Sequence, residues 1–349
     1  MTRPTIAEIV LPALRHNLSL IRSRAREAGG EGVELIPVVK ADAYGHGALG
    51  VSRELIRQGV KWLAVACLEE ALELAEFGDR AGIIILGPMR REEAAEVLAR
   101  GFIPVLSSRD DLGLLETALK SAVPPKPPRV ILDFDTGMGR MGLMSEELRE
   151  VCDRLRPLPV RVTGLFSHLP AAESGLPGDL EYTDRQIQDF QLLARSLGQA
   201  FPGLQLVSLA NSAGLFFHPS SVFSAVRPGI SLYGVRPDAD LPGPEGLRPV
   251  MRWISEIVQV RSLPEGASIS YGRKTRLSRR SLIKRILYQT NPTFTSPRHS
   301  HARFPHSGDA EGRAEIQRRC YSRSRADAVT SLTFRPVSGN VDDRSNKAR

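Results

Sequence analysis

Cysteine is scarce in this chain. Cys67, Cys152 and Cys320 stand far apart in its 349 residues, with no CxxC pair. That spacing argues against a disulfide framework and a thiolate zinc site, fits a reducing cytoplasm, and leaves no metal expected. Long apolar runs are missing as well. No stretch approaches the ~20 apolar residues of a membrane span. Residues 1–30 lack the apolar core of a signal peptide. There Leu11, Leu14, Leu18 and Ile21 recur at helical spacing among arginines, which predicts an amphipathic helix. Hydrophobic residues make up 42% and charged residues 25%, the composition of an ordinary soluble globular protein. The length suits one large domain and a smaller one.

The net charge of +8 is concentrated at one end. Residues 284–349 carry 13 Lys and Arg against 6 Asp and Glu, leaving only +1 for everything before them. The basic balance belongs to that tail, and it is not a nucleic-acid footprint of the main domain.

What is present, from residue 6 to about 234, is an alternation of short β-rich runs and helical stretches. The runs fall at 6–11, 35–40, 62–67, 83–87, 103–107, 130–135, 160–168, 206–211 and 225–233. Helical patterns sit between them, for instance over 92–100, 146–154 and 183–197. Such alternation implies parallel βαβ units. Roughly eight repeats in ~230 residues favour an α/β fold of the (β/α)₈ type, in which functional groups stand at the C-terminal ends of strands. The Pro-rich stretch 122–128 reads as a connector before a sixth strand. Residues 237–249 read as a Pro/Gly-rich linker, followed by strand-like runs at 250–261 and 268–271, the start of a β domain. Beyond residue 283 the alternation stops. Only about 29% of residues 284–349 are hydrophobic, and Arg, Ser, His and Pro dominate. That pattern is of a disrupted β domain, either disordered or read out of frame. The domain expectation is therefore 1–236, 237–283 and 284–349.

Three strings carry chemistry. In Val38-Val39-Lys40-Ala41-Asp42-Ala43-Tyr44-Gly45-His46-Gly47, one lysine leaves an apolar strand for a Gly-rich turn. Partial removal from water favours a free amine there, suited to a carbonyl cofactor. In Asp135-Thr136-Gly137-Met138-Gly139-Arg140-Met141-Gly142, glycines admit close backbone approach and Arg140 offers a planar fork for a carboxylate or phenolic oxygen. Arg227 lies in the third string, "VRPGISLYG", and His168 closes "VTGLFSH".

Together these strings resemble the alanine racemase family, over about residues 5–283. The resemblance implies a barrel enzyme dependent on pyridoxal 5'-phosphate, interconverting L- and D-alanine in the cytoplasm for peptidoglycan. Lys40 would carry the cofactor and serve as one catalytic base. Tyr44, Asn211, Ser212, Gly229 and Ile230 would hold its phosphate. His168 would support the ring and orient Arg227, which would face the pyridine nitrogen and donate to it without releasing a proton. Arg140 would bind the phenolate and the substrate carboxylate. Many family members place a carbamylated lysine where this chain has Asp133, whose carboxylate would supply the negative charge directly.

The family pattern then departs. A "GYADG"-like string, whose tyrosine reaches into the partner of a homodimer as second base, is due near position 290, where Thr290 stands; Tyr288 lacks matching neighbours. Without that tyrosine, an alternative is a non-catalytic pyridoxal-phosphate-binding barrel.

Overall fold

The structure, a computed structural model, describes residues 6–121, 126–237 and 245–286. The chain divides into two compact units. One is Val10–Val250; the other combines Ile6–Ile9 with Met251–Ile286 among the described residues.

The larger unit is a parallel barrel. Its strands, numbered along the chain after β1 (Ile6–Ile9), are β2 (Glu34–Leu35), β3 (Trp62–Val65), β4 (Gly82–Ile85), β5 (Ile103–Leu106), β6 (Arg129–Asp133), β7 (Arg161–Phe166), β8 (Leu206–Ser208) and β9 (Ala225–Val226). Strands β3 to β8 form one continuous sheet, and β2 pairs with β9. Three backbone joins close the ring. Val39 N–H donates to Ala64 O at 2.8 Å, Ile36 N–H to Val226 O at 2.9 Å and Arg227 N–H to Ala210 O at 3.0 Å.

Side-chain alternation explains the filling. Ile36, Val38, Ala64, Ile84, Ile103, Val105, Ile131 and Phe166 meet in a buried interior cluster, while their strand neighbours Leu63, Val65, Ile83 and Ile85 are buried as well. Strands with helices outside and side chains inside are covered on both faces, so their sequences read as continuous apolar runs.

The helices are α1 (Leu11–Gly29), α2 (Lys40–Gly45), α3 (Ala48–Arg57), α4 (Leu68–Glu73), α5 (Ala94–Ala99), α6 (Arg109–Ser121), α7 (Ser145–Leu155), α8 (Pro177–Ala200) and α9 (Ser212–Phe217). The amphipathic helix expected near the start is α1, which buries Leu14, Leu18, Ile21 and Ala25. Asn17, on the same face, is fully buried. Its amide nitrogen donates to Leu232 O at 3.0 Å and to Arg248 O at 2.8 Å. Among the described residues, no helix is long and apolar enough to cross a membrane.

Several expectations change. The run at 6–11 is not a barrel strand: β1 pairs antiparallel with β10 (Met251–Ile254) in the smaller unit. The strand after the Pro-rich connector is consequently the fifth around the barrel. Of that connector, residues 122–125 lie outside the described residues. The run 225–233 is a strand only to Val226. Pro228 has no N–H to extend the ladder, and Ile230–Tyr233 turns into a 3₁₀ segment. The end of the 237–249 linker is tied to the barrel, with Arg248 N–H donating to Asn17 Oδ1 at 2.8 Å.

The smaller unit continues with β11 (Ile257–Leu263), β12 (Ser268–Ile269), β13 (Thr275–Arg276) and β14 (Ser281–Ile286), paired β11–β14 and β12–β13, both antiparallel. Strand β14 runs three residues into the segment set apart from 284. The rest of that segment, with positions 288 and 290, lies outside the described residues.

Candidate active site

All ten residues singled out from the sequence line one cavity of about 450 Å³. Each stands at or just past the C-terminal end of a barrel strand, where parallel barrels place their reactive groups.

Lys40 follows buried Val39, five residues past the end of β2, and opens α2. The next four residues are unusual. Ala41, Asp42, Ala43 and Tyr44 have φ of 51°, 53°, 54° and 54°, a full left-handed turn without a glycine. Each such residue costs roughly 1–2 kcal/mol, so single residues rather than runs are the rule. The turn persists because its neighbours over-determine it. Ala41 N–H donates to Glu70 Oε1 at 2.8 Å, and Asp42 Oδ1 accepts from Ala48 N–H at 2.6 Å. The Tyr44 and His46 rings lie 5.1 and 4.6 Å from that of buried Tyr233. The Tyr233 hydroxyl in turn donates to Val38 O at 2.9 Å.

Opposite charges meet across the barrel. Arg227 is buried, donating to Ser208 O at 2.6 Å and to Ser167 O, with its guanidinium 4.5 Å from the centre of the Phe166 ring. Burial pushes it down to about 10, and Asp133 opposes the shift while Arg140 adds to it. At neutral pH it remains a cation and a donor. It also approaches His168 Nδ1 at 3.3 Å. A guanidinium has no acceptor, so Nδ1 is the accepting nitrogen and the neutral imidazole carries its proton on Nε2. Burial, then the charges of Arg227, Arg140 and Lys40, push His168 down to about 3. Asp133 moves the other way: burial raises its carboxyl to about 6, and the adjacent cations Arg227 and Arg140 limit the rise.

Backbone geometry builds the loop that carries Arg140. Asp135 Oδ1 accepts from Gly137 N–H at 2.8 Å and Oδ2 from Gly139 N–H at 2.9 Å. From α8, Tyr182 donates to Gly137 O at 2.7 Å and Gln186 to the Thr136 hydroxyl at 3.1 Å.

The third group is polar and small. Ser212 Oγ accepts from Gly229 N–H at 3.0 Å and from Ser231 N–H at 3.4 Å, which leaves its own O–H to donate. A side chain added at Gly229 would start 2.9 Å from the Tyr44 hydroxyl, so a glycine keeps this space open. Ile230 follows directly. Asn211 is already engaged: its carbonyl caps α9 through Gly214 N–H at 2.9 Å, and its amide donates to Leu169 O at 3.1 Å. An open cradle bordered by two hydroxyls and lined by Lys40 and Arg227 fits a small anionic cofactor.

Sequence reasoning missed the residues that hold these groups. Tyr233 is the last residue but one of the "VRPGISLYG" string, so its position was a signal. Glu70, Ser167 and Gln186 carried none, because their roles depend on contacts between distant segments.

An eight-stranded α/β barrel, with a lysine, two arginines and a histidine around one cavity at its strand ends, defines a barrel enzyme of the TIM type. The family description "Alanine racemase, N-terminal domain" matches residues 9–237. The alanine racemase of Geobacter sp. (strain M21) is 34% identical over 82% of this chain and 74% of its own length. The alanine racemase of Sorangium cellulosum is 37% identical over 81% and 74%. Among solved structures, the biosynthetic alanine racemase from Pseudomonas aeruginosa matches with a TM-score of 0.69 and 33% identity, over 81% of this chain and 75% of that one. The alanine racemase from Bartonella henselae, described with covalently bound pyridoxal phosphate, matches with a TM-score of 0.68 and 28% identity, over 82% and 75%. This chain belongs to the alanine racemase family, a family of isomerases.

Proposed function

We propose that this chain binds pyridoxal 5'-phosphate and acts on alanine, with Lys40 as the lysine that carries the cofactor. The observation that supports this best is the convergence of Lys40, the Arg227–His168 pair and the Ser212–Gly229 cradle on one cavity. When bound, the cofactor supplies an electron-withdrawing group that acidifies the Cα proton of an amino acid.

The chain's own residues then have distinct tasks. Ser212, Tyr44 and the backbone at Gly229 and Ile230 surround the phosphate, with Asn211 shaping the turn that presents Ser212. Arg227 faces the ring nitrogen and keeps its proton at neutral pH. His168, held neutral, accepts from Arg227 through Nδ1 and supports the ring. Arg140 binds the substrate carboxylate, and Asp133 sets a carboxylate near Arg140 and Arg227, without need of a modified lysine. Lys40 moves a proton on one face of Cα.

Racemisation needs a second proton-transfer group on the opposite face, and loss of one such group typically costs 10²–10⁴-fold. The family's second-base string has no match in this sequence after residue 283, so turnover is expected to be low. The division into barrel (1–236), linker and partial β domain (237–283) and basic tail (284–349) belongs to the same reading, as do a cytoplasmic setting, a D-alanine product for peptidoglycan and a homodimer that the altered tail would weaken. The alternative is a barrel that binds the cofactor without turnover.

The test is to add pyridoxal phosphate to the purified chain, follow the absorbance of lysine-bound cofactor, and assay L- to D-alanine conversion. A band that Lys40→Ala abolishes, with slow conversion, supports the proposal. The same band with no conversion selects the non-catalytic barrel. No band in the parent chain rejects both.

A further inference from the structure

Glu70 lies in α4, just past the end of β3. Its two carboxylate oxygens hold two different segments: Oε1 accepts from Ala41 N–H at 2.8 Å and Oε2 from Ala66 N–H at 2.7 Å. Ala41 is the first left-handed residue, and Lys40 immediately precedes it. The other anchors of this turn act further along, at Asp42 on Ala48 N–H and at the Tyr44 and His46 rings against Tyr233. Val39, before Lys40, is held to β3 by its backbone bond to Ala64 O at 2.8 Å. Of these anchors the Glu70 clamp is the one that grips Ala41, on the other side of Lys40, and ties it to the end of the same strand.

We propose that Glu70 is a positioning residue: it holds the left-handed turn against the end of β3 and thereby fixes the direction in which Lys40 enters the cavity. A carboxylate suits the task because it accepts two N–H bonds at once and has no proton to set against them. Its neighbour Glu69 points elsewhere, bonding Arg90 at 2.8 Å. The proposal deepens the reading of Lys40 as the cofactor lysine, and its first measurement needs no cofactor.

The experiment compares the full chain with Glu70→Gln and Glu70→Ala, using Glu69→Ala as control. Amide hydrogen exchange without cofactor reads the turn, and the rate at which lysine-bound cofactor forms reads Lys40. In Glu70→Gln, exchange at residues 41–45 is expected to quicken at least tenfold, with strands β4–β6 unchanged and cofactor attachment slowed several-fold. Glu70→Ala should show a larger effect and Glu69→Ala none. Unchanged exchange in both Glu70 variants overturns the proposal. So does a loss of protection spread over the whole barrel, which would make Glu70 a general support of the fold. Quickened exchange with unchanged attachment overturns the positioning of Lys40. If the parent chain itself takes up no cofactor, the functional reading fails, and exchange alone decides whether Glu70 holds the turn.

Discussion

His168 and Asp133 share one cavity, and burial shifts both toward the neutral form, with opposite consequences for acid stability. The His168 value falls from 6.5 to about 3. Below 6.5 the unfolded chain takes up a proton that the folded chain refuses, so stability drops as pH falls toward 3. The Asp133 value rises from 3.8 to about 6. Between those values the folded chain binds the extra proton, so this group favours folding as pH falls and loses that effect as pH rises through 6. The two partly cancel between pH 4 and 6. Asp133→Asn removes the compensating group, and the fall in melting temperature from pH 6 to pH 4 should become steeper than in the parent chain. Parallel profiles would show that Asp133 does not titrate in this window.

At the scale of elements, the fold uses unusual backbone where the cavity is lined. The turn after Lys40 concentrates strain in four residues without a glycine, whereas the loop after β6 relies on glycine instead. Gly142 has φ of +114°, and a side chain there would start 2.6 Å from Asp135 N. Asp135 is the residue whose carboxylate organises Gly137 and Gly139, so a shift at 142 propagates through the loop to Arg140. Gly142→Ala is expected to destabilise the chain by about 1–3 kcal/mol, the range for a non-glycine residue held in a sparsely populated region. Chemical denaturation measures this directly, and a change below ~0.5 kcal/mol would mean that the loop relaxes without strain. No other described non-glycine residue of the barrel unit has a positive φ; Ser270 and Arg273, at 61° and 49°, belong to the smaller unit. Pro228 ends β9, the Asn211 side chain starts α9, and short loops return each helix to the next strand.

For the molecule as a whole, the two units differ in what holds them. Among the described residues, all of the buried hydrophobic side chains lie in the barrel unit. In residues 251–285, Ser255 alone is buried, while Val258, Val260 and Leu282 are 45%, 54% and 68% exposed. Two-stranded ribbons without a packed face are marginal in water. Limited proteolysis under native conditions should therefore cut within residues 251–286 well before the barrel strands. Equal resistance in both regions would show that these ribbons gain a packed partner in solution. The match to the Geobacter relative leaves about a quarter of that protein without a counterpart here.

The sequence by itself determined the alternation of apolar strands and helices, because burial on both faces of a parallel sheet forces continuous apolar runs. It also determined the three strings around Lys40, Arg140 and Arg227, since a turn that must bring backbone near a ligand restricts residue type locally. The tertiary structure decided what depends on distant partners. Closure of the ring through β2 and β9 placed β1 outside the barrel, where the pattern of 6–11 alone resembled any other strand. The left-handed turn at 41–44 persists because Glu70 and Tyr233 meet it from separate segments, while its own Asp42 bonds Ala48 N–H. The protonation states of Asp133 and His168 follow from desolvation inside a closed barrel. A linear pattern records which side chains are apolar, but these last features arise from which groups face one another once water is excluded.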